Sequence, residues 1–167
     1  AGAENVMHYA GDLTTTMPVG ADYTSRQKDV YNVLINSYKT ATSMIRPGIT
    51  YREVHVAVWA KIAEGLKALG LMNGDAMEAA EAGAVAMFMP HGLGHMMGMD
   101  VHDMENYGEV YVGYPRGAQK DPRFGFRSLR LGRTLEPGFV FTVEPGIYFI
   151  PELIDQWRAA GKFTDFI

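Results

Sequence analysis

The segment 88–103 has the sequence FMPHGLGHMMGMDVHD and contains three of the five histidines in this 167-residue chain. Its glycines and its proline disfavour a helix, so we do not expect His91 and His95 to share a helical face. A HExxH zinc motif is excluded because Gly92, not glutamate, follows the first histidine. In an extended backbone, residues at even spacing point to the same side. His91 and His95 can therefore point to one side, with glycine between them leaving room for a ligand or for another backbone. The alternative is that they are ordinary core or surface histidines.

Two carboxylates, Glu144 and Asp12, are candidate site residues. Glu144 interrupts the apolar stretch 139–149, where an ionised group costs several kcal/mol or more to bury unless it is paired or bound to metal. It is either half of a buried salt bridge or a metal ligand. Asp12 stands before Leu13 and three threonines, and by itself it fits a loop or capping residue equally well.

Composition excludes several classes of function. Cysteine is absent, which excludes disulfides, thiolate metal sites and a cysteine nucleophile. Any metal would use oxygen and imidazole ligands, which suit Mn, Co or Zn. The net charge of -4 and the lack of a clustered Lys/Arg surface argue against nucleic acid. No apolar run approaches the roughly 20 residues that span a bilayer, and no signal-peptide pattern is visible, so we expect no membrane partner and a cytoplasmic protein.

Two capping boxes predict two helices before this segment. Thr24–Gln27 begins the first, and Arg46-Pro47-Gly48 ends it. Thr50–Glu53 begins the second, which Gly70 and Asn73-Gly74 close. The predicted apolar stripes are Val30, Leu34, Tyr38, Ala41 and Ile45 on the first helix, and Val54, Val58, Ile62, Leu66 and Leu69 on the second.

The rest of the chain predicts a short helix and several strands. The helix is expected over 76–86, and strands over 6–19, 139–143 and 147–150. This order gives an α+β fold in one domain covering 1–167. Because the chain begins without Met and stops without a closing element, we expect it to be part of a longer protein.

Several motifs together resemble one family. The chain is similar to the prolidase and aminopeptidase P group of pita-bread metallopeptidases. The matching segments are 1–4, 9–14, His91–Asp103, Ser128–Arg130, 135–138 and Glu144–Phe149. The stretches 127–130 and 146–150 are more similar to prolidases than to methionine aminopeptidases. The resemblance implies an incomplete pita-bread catalytic domain, with helices packed on a curved, mostly antiparallel sheet.

The resemblance also implies a metal site. Asp12, His95 and Glu144 match three ligands of a site that holds two divalent ions, with Mn first and Co or Zn as alternatives. The remaining two carboxylate ligands, together with an N-terminal domain and C-terminal strands, are expected to lie outside residues 1–167. We therefore expect these residues alone to be inactive, and the full-length protein to form a homodimer.

Further residues match the family's substrate-handling positions. The resemblance implies that Glu144 takes the proton of a hydroxide-forming water shared by the metals. It also implies that His91 and His102 line the site, with His102 contacting substrate, and that Arg130 grips the free carboxylate of a small peptide. The implied activity is hydrolysis of Xaa-Pro dipeptides. Alternatives are an Xaa-Pro aminopeptidase, a non-catalytic binding module and a metal-free hydrolase such as creatinase; retention of all three ligands argues against the last two.

Overall fold

Helices dominate the regular structure of residues 2–167, which are the residues that the computed structural model describes. Five α-helices occur among them, in the order α1 Ser25–Met44, α2 Tyr51–Ala68, α3 Ala76–Ala82, α4 Glu109–Gly113 and α5 Pro151–Ala159. Three short 3-10 helices cover Ala84–Met87, Glu105–Tyr107 and Phe126–Ser128. The predicted helices α1 and α2 are confirmed, whereas α4 and α5 were not expected.

Helix α2 is the centre of the core. Its capping box is present, with Thr50 and Glu53 each accepting a hydrogen bond from the other's backbone N–H. The hydrogen bonds from the Thr50 side chain and backbone lower the pKa of Glu53. Of the predicted stripe, Val54, Val58, Ile62 and Leu66 are fully buried, whereas Leu69 is 37% exposed. Each fully buried aliphatic side chain contributes about 1.5–3 kcal/mol, so this face fixes α2 in place.

Helix α1 packs against α2 through a set of buried residues that shares only Ala41 with the predicted stripe. Its buried residues are Val33, Ser37 and Ala41, whereas Tyr38 is 47% exposed. A Cβ at Gly65 of α2 would lie 2.5 Å from a Val33 methyl carbon, so the glycine admits this side chain. Since a short connection joins the end of α1 to the start of α2, and Val33 near the middle of α1 contacts Gly65 late in α2, the two helices run antiparallel.

Helix α3 is shorter than the predicted 76–86. Gly83 has φ of 91° and ends the helix in the left-handed conformation that glycine adopts without strain. The chain then continues as the 3-10 helix Ala84–Met87, all of which is buried.

The predicted strands do not form as regular strands within residues 2–167. Pairing is limited to three isolated antiparallel bridges, Glu4 with Ala10, Thr50 with Thr134, and Met96 with Phe141. One cause is visible beside the third bridge. The carbonyl of Thr142 accepts the Tyr51 hydroxyl, and the N–H of His95 donates to the Thr142 hydroxyl. These side-chain bonds replace the reciprocal backbone bond that a continuous ladder needs.

Candidate metal centre

Two segments, 93–97 and 140–144, form the floor of the site as an antiparallel pair. In such a pair His95 is opposite Thr142, and Glu144 follows on the same face two residues later. The side chains of His95 and Glu144 therefore meet although 48 intervening residues separate them. The backbone N–H groups that donate across the pair are those of Met97 to Val140 at 3.0 Å, Thr142 to His95 at 3.0 Å, and Glu144 to Leu93 at 2.7 Å.

The glycines between the histidines make this close packing possible. A Cβ at Gly94 would lie 2.1 Å from the carbonyl oxygen of Thr142, and one at Gly92 would lie 2.7 Å from that of Ser128. Both positions thus exclude any side chain. Of the two uses considered for these glycines, the structure shows the approach of another backbone.

Asp12 reaches the same point from the N-terminal segment. The N–H of Ala10 donates to the carbonyl of Gly98 at 2.8 Å, which holds this segment beside the histidine loop. Asp12 Oδ2 lies 3.5 Å from His95 Nε2, and His95 Nε2 lies 3.0 Å from Glu144 Oε1. One potential ligand atom from each of Asp12, His95 and Glu144 lies within 4.8 Å of the others.

The protonation of His95 fits a cation between these groups. Its Nδ1 lies 2.9 Å from the carbonyl of Met96, and a carbonyl accepts only, so the neutral ring carries its proton on Nδ1. Nε2 then presents a lone pair toward two carboxylates. This atom is buried and has no aligned hydrogen bond, even though Glu144 is near. Metal–ligand bonds of about 2.0–2.2 Å place neighbouring ligand atoms about 3–3.5 Å apart, which matches the observed spacing.

The pKa shifts of His95 and Glu144 also favour a positive charge between these groups. Burial alone lowers the pKa of His95, but the adjacent Glu144 carboxylate, the Met96 carbonyl and the charge of Asp12 raise it above the ordinary value. Contact with His95 lowers the pKa of Glu144 against the opposing effect of burial, and the Thr142 hydroxyl lowers it further. The pocket thus favours ionised carboxylates and positive charge at one point, which a proton or a divalent ion can supply.

His102 lies on the other side of His95 and contacts two charged residues. The His95 and His102 rings meet edge to face, with centroids 4.3 Å apart. Arg130 Nη1 contacts Nδ1 of His102 and donates to Glu105 Oε2 at 2.9 Å. Burial lowers the pKa of His102, and the positive charge of Arg130 lowers it further. Because arginine only donates, Nδ1 of His102 is an acceptor and the ring proton sits on Nε2.

His91 is outside the cluster of three but near it in the chain. Its Nδ1 lies 2.8 Å from the carbonyl of Gly92, so the neutral ring has a lone pair on Nε2. That atom is buried without a hydrogen-bond partner. The ring packs edge to face on Tyr148, with centroids 5.3 Å apart.

The two histidines without motifs have different settings. His8 is exposed and pairs with Glu4 at 2.6 Å. His55 of α2 is fully buried and packs against Trp59 and Phe126, with ring centroids 4.3 and 5.7 Å away.

A cavity of about 240 Å³ opens between α2 and the segment that follows α4. Two of its charges are already paired, Lys120 with Glu109 and Asp121 with Arg123. It contains none of the predicted site residues; its lining is Arg52, Tyr114, Gln119, Lys120, Asp121, Phe126 and Leu129.

Sequence reasoning missed two polar residues of this region. Thr142 contacts both His95 and Glu144, and Glu105 contacts Arg130. The position of Thr142 two residues before Glu144 carried a signal, since alternate residues of an extended segment share a face. No comparable signal marks Glu105, because its contact with Arg130 depends on the path of a loop.

One imidazole and two carboxylates around a common point form a candidate metal site. Residues 1–165 match metallopeptidase family M24, and the chain belongs to that family. It is 43% identical over 150 residues to the Xaa-Pro dipeptidase of Rattus norvegicus, covering 89% of this chain and 29% of the relative. It is 41% identical over 161 residues to the Xaa-Pro dipeptidase of Homo sapiens, covering 95% of this chain and 31% of the relative. The chain thus spans under a third of the length of these curated relatives.

Solved structures give the same relationship. Proline aminopeptidase P II from Yersinia pestis superposes with a TM-score of 0.69 at 38% identity, covering 87% of this chain and 29% of that one. Zn-substituted aminopeptidase P of Escherichia coli in complex with product gives a TM-score of 0.68 at 36% identity, with the same coverage. The resemblance to the prolidase and aminopeptidase P group is confirmed, and the fold is that of these neighbours over the shared part. None of the helices in residues 2–167 combines the length and apolar character that a membrane crossing needs.

Proposed function

We propose that the full-length protein hydrolyses Xaa-Pro dipeptides with the help of divalent metal ions. The observation that carries this proposal is the buried Nε2 of His95, which lacks a hydrogen bond and faces Asp12 and Glu144 at 3.5 and 3.0 Å. Relatives named Xaa-Pro dipeptidase at 43% and 41% identity support the substrate class.

Asp12, His95 and Glu144 would hold the metal. We propose a pair of divalent ions, with Mn as the first choice and Co or Zn as alternatives, because oxygen and imidazole donors suit all three. When bound, such ions supply an activated water and polarise the carbonyl that is attacked. Glu144 would accept the proton of that water, and hydrogen bonding that lowers the pKa of its carboxyl group supports this role.

The two histidines near the cluster would act in opposite senses. His102 carries its proton on Nε2, so that atom can donate a hydrogen bond to an oxygen that becomes negative in the transition state. His91 presents a bare Nε2 and can accept from the amine side of the peptide. This division follows from the neighbours of each ring, Arg130 for His102 and the Gly92 carbonyl for His91.

Arg130 would hold the free carboxylate of the dipeptide. A guanidinium offers several donors in one plane, and Glu105 is within hydrogen-bond distance of one nitrogen, Nη1. Binding of this carboxylate would limit the substrate to two residues. A bond to proline has no N–H, so the ring must be accepted by shape.

One experiment tests the core of this proposal. His95→Ala in the full-length protein should abolish Xaa-Pro hydrolysis and reduce bound metal, while His8→Asn removes an exposed histidine as a matched control. Hydrolysis by the His95 variant at the wild-type rate would contradict the proposal. Metal analysis of the purified wild-type protein separates it from a non-catalytic or metal-free relative.

An Xaa-Pro aminopeptidase is the second candidate. Aminopeptidase P structures superpose well on this chain, and relatives named probable Xaa-Pro aminopeptidase are 37–39% identical. Rates for Gly-Pro and for a tripeptide that begins Gly-Pro would separate the two. Faster cleavage of the tripeptide would favour the aminopeptidase. Dimerisation and a cytoplasmic location stay predictions.

A further inference from the structure

The hydroxyl of Thr142 joins two members of the metal cluster, His95 and Glu144. Its oxygen accepts the backbone N–H of His95 at 3.1 Å, and its proton is donated to Oε1 of Glu144. The direction of the second bond is fixed because a carboxylate accepts only. The carbonyl of His95 is 3.5 Å from the hydroxyl and already accepts the Thr142 N–H at 3.0 Å.

The residue itself is held rigidly. Thr142 is 7% exposed, and its branched Cβ restricts rotation of the side chain. Its carbonyl accepts the buried Tyr51 hydroxyl at 2.5 Å. A Cβ at Gly94 would reach that same carbonyl, so the backbone of Thr142 is packed from the histidine side as well.

We propose that Thr142 is a positioning residue, whose hydroxyl sets the separation and orientation of His95 and Glu144 before metal binds. This inference rests on the proposed metal site and assigns a role to a residue outside the ligand set. Without the hydroxyl, Oε1 of Glu144 would lose its donor and the carboxylate would rotate freely, so the ion would have to order it. Loss of such a supporting hydrogen bond lowers metal affinity by about ten- to a hundredfold.

Titration with Co²⁺ alone tests this directly, with affinity from calorimetry and ligand geometry from the visible absorption of the ion. Thr142→Val keeps the shape and removes the hydroxyl, so it should weaken Co²⁺ binding by about ten- to a hundredfold and alter the spectrum. Thr142→Ser keeps the hydroxyl and should restore most of the affinity and the wild-type spectrum.

Tyr51→Phe is the matched structural control. It removes a hydrogen bond to the same residue, Thr142, but leaves the hydroxyl of that residue in place. We expect a lower melting temperature of the metal-free protein and nearly unchanged Co²⁺ affinity. If Thr142 had a purely structural role, both Thr142→Val and Tyr51→Phe would lower the Co²⁺ affinity together with the melting temperature.

The outcomes separate this inference from the proposed function. Three results would each overturn the positioning role alone. They are wild-type Co²⁺ affinity in Thr142→Val, equal losses of affinity in Thr142→Val and Thr142→Ser, and a loss in Tyr51→Phe as large as that in Thr142→Val. Absence of Co²⁺ binding by the wild-type protein, or full binding by His95→Ala, would overturn the metal site and this inference together.

Discussion

The guanidinium of Arg130 is paired with the carboxylate of Glu105, Nη1 lying 2.9 Å from Oε2. The same nitrogen contacts Nδ1 of His102. The residue proposed to bind the substrate's carboxylate thus already has an internal carboxylate beside it. The other carboxylate oxygen of Glu105, Oε1, is buried without a hydrogen-bond partner. Glu105 therefore both orients Arg130 and reduces the positive potential that a substrate anion meets.

Glu105→Gln should lower KM for Xaa-Pro dipeptides and leave kcat unchanged. The amide oxygen of glutamine can still accept from Arg130, so the guanidinium keeps its place while the opposing charge disappears. Partly exposed ion pairs are worth about 0.2–1 kcal/mol, so a change in KM of about 1.4- to fivefold is expected. Glu136→Gln neutralises a glutamate that pairs with Arg133 at 3.1 Å and serves as the control. A raised KM would show that the charge of Glu105 helps rather than opposes binding.

Gly94→Ala should unfold the floor of the site. The added Cβ would lie 2.1 Å from the carbonyl of Thr142 and 2.8 Å from the Tyr51 hydroxyl, so the segments at 93–97 and 140–144 must separate. Overpacking of this kind costs about 1–3 kcal/mol or more in free energy of unfolding. Gly20→Ala is the matched control, because a Cβ there meets nothing within 4 Å. Denaturant titration of both variants measures the difference, and equal stability would contradict the argument.

The helices show how far local sequence can carry a prediction. Thr50 and Glu53 identify the start of α2 because the capping box depends only on residues three apart. The stripe on α2 was predicted well because a central helix buries most of its apolar residues. On α1 the buried line passes through Val33 and Ser37, since the contact with Gly65 decides which face is covered.

The metal cluster was found by resemblance, and its geometry depends on pairing that local patterns do not contain. Asp12 by itself fits a loop residue, and its place beside His95 comes from the bond between Ala10 and Gly98. The predicted strands failed as regular strands for a similar reason. Tyr51 reaches the Thr142 carbonyl from α2, 91 residues away in the chain, and takes an acceptor that a ladder would use.

Removal of His55 should flatten the dependence of stability on pH. Burial, together with the charges of His91 and Arg52, lowers the pKa of His55 to about 3 in the folded protein, against about 6.5 for an unfolded chain. Between these values the unfolded chain binds a proton that the folded chain does not. Neutral His55 therefore makes its full contribution to the free energy of unfolding above about pH 6.5. As the pH falls below that value, the free energy of unfolding decreases by at most about 1.4 kcal/mol per pH unit.

The test compares His55→Leu with wild type by urea unfolding from pH 7 to pH 4. The leucine variant removes the ring that packs on Trp59 and is expected to lose stability at pH 7, but less steeply than wild type as the solution becomes acidic. His8→Asn is the control for loss of one histidine, since His8 is exposed. Equal slopes for wild type and His55→Leu would show that another group governs the acid limb.

Divalent metal should raise the melting temperature of the full-length protein, and the effect should depend on the cluster. The buried Nε2 of His95 and the carboxylates of Asp12 and Glu144 repel one another unless a cation or proton lies between them. An ion that binds only the folded state adds about 2.7 kcal/mol when its concentration is about 100 times Kd. Scanning calorimetry with Mn²⁺ and with a chelator measures this shift.

Glu144→Gln tests whether that shift arises at the cluster. The variant keeps an oxygen that can accept from Thr142 but removes the charge that attracts the ion, so most of the metal-induced shift should vanish. The metal-free protein should melt close to wild type, because the relieved repulsion between Glu144 and Asp12 offsets the weakened contact between Glu144 and His95. Glu136→Gln, which removes an exposed carboxylate elsewhere, should keep the full shift. A shift of wild-type size in Glu144→Gln would place the stabilising ion at another site.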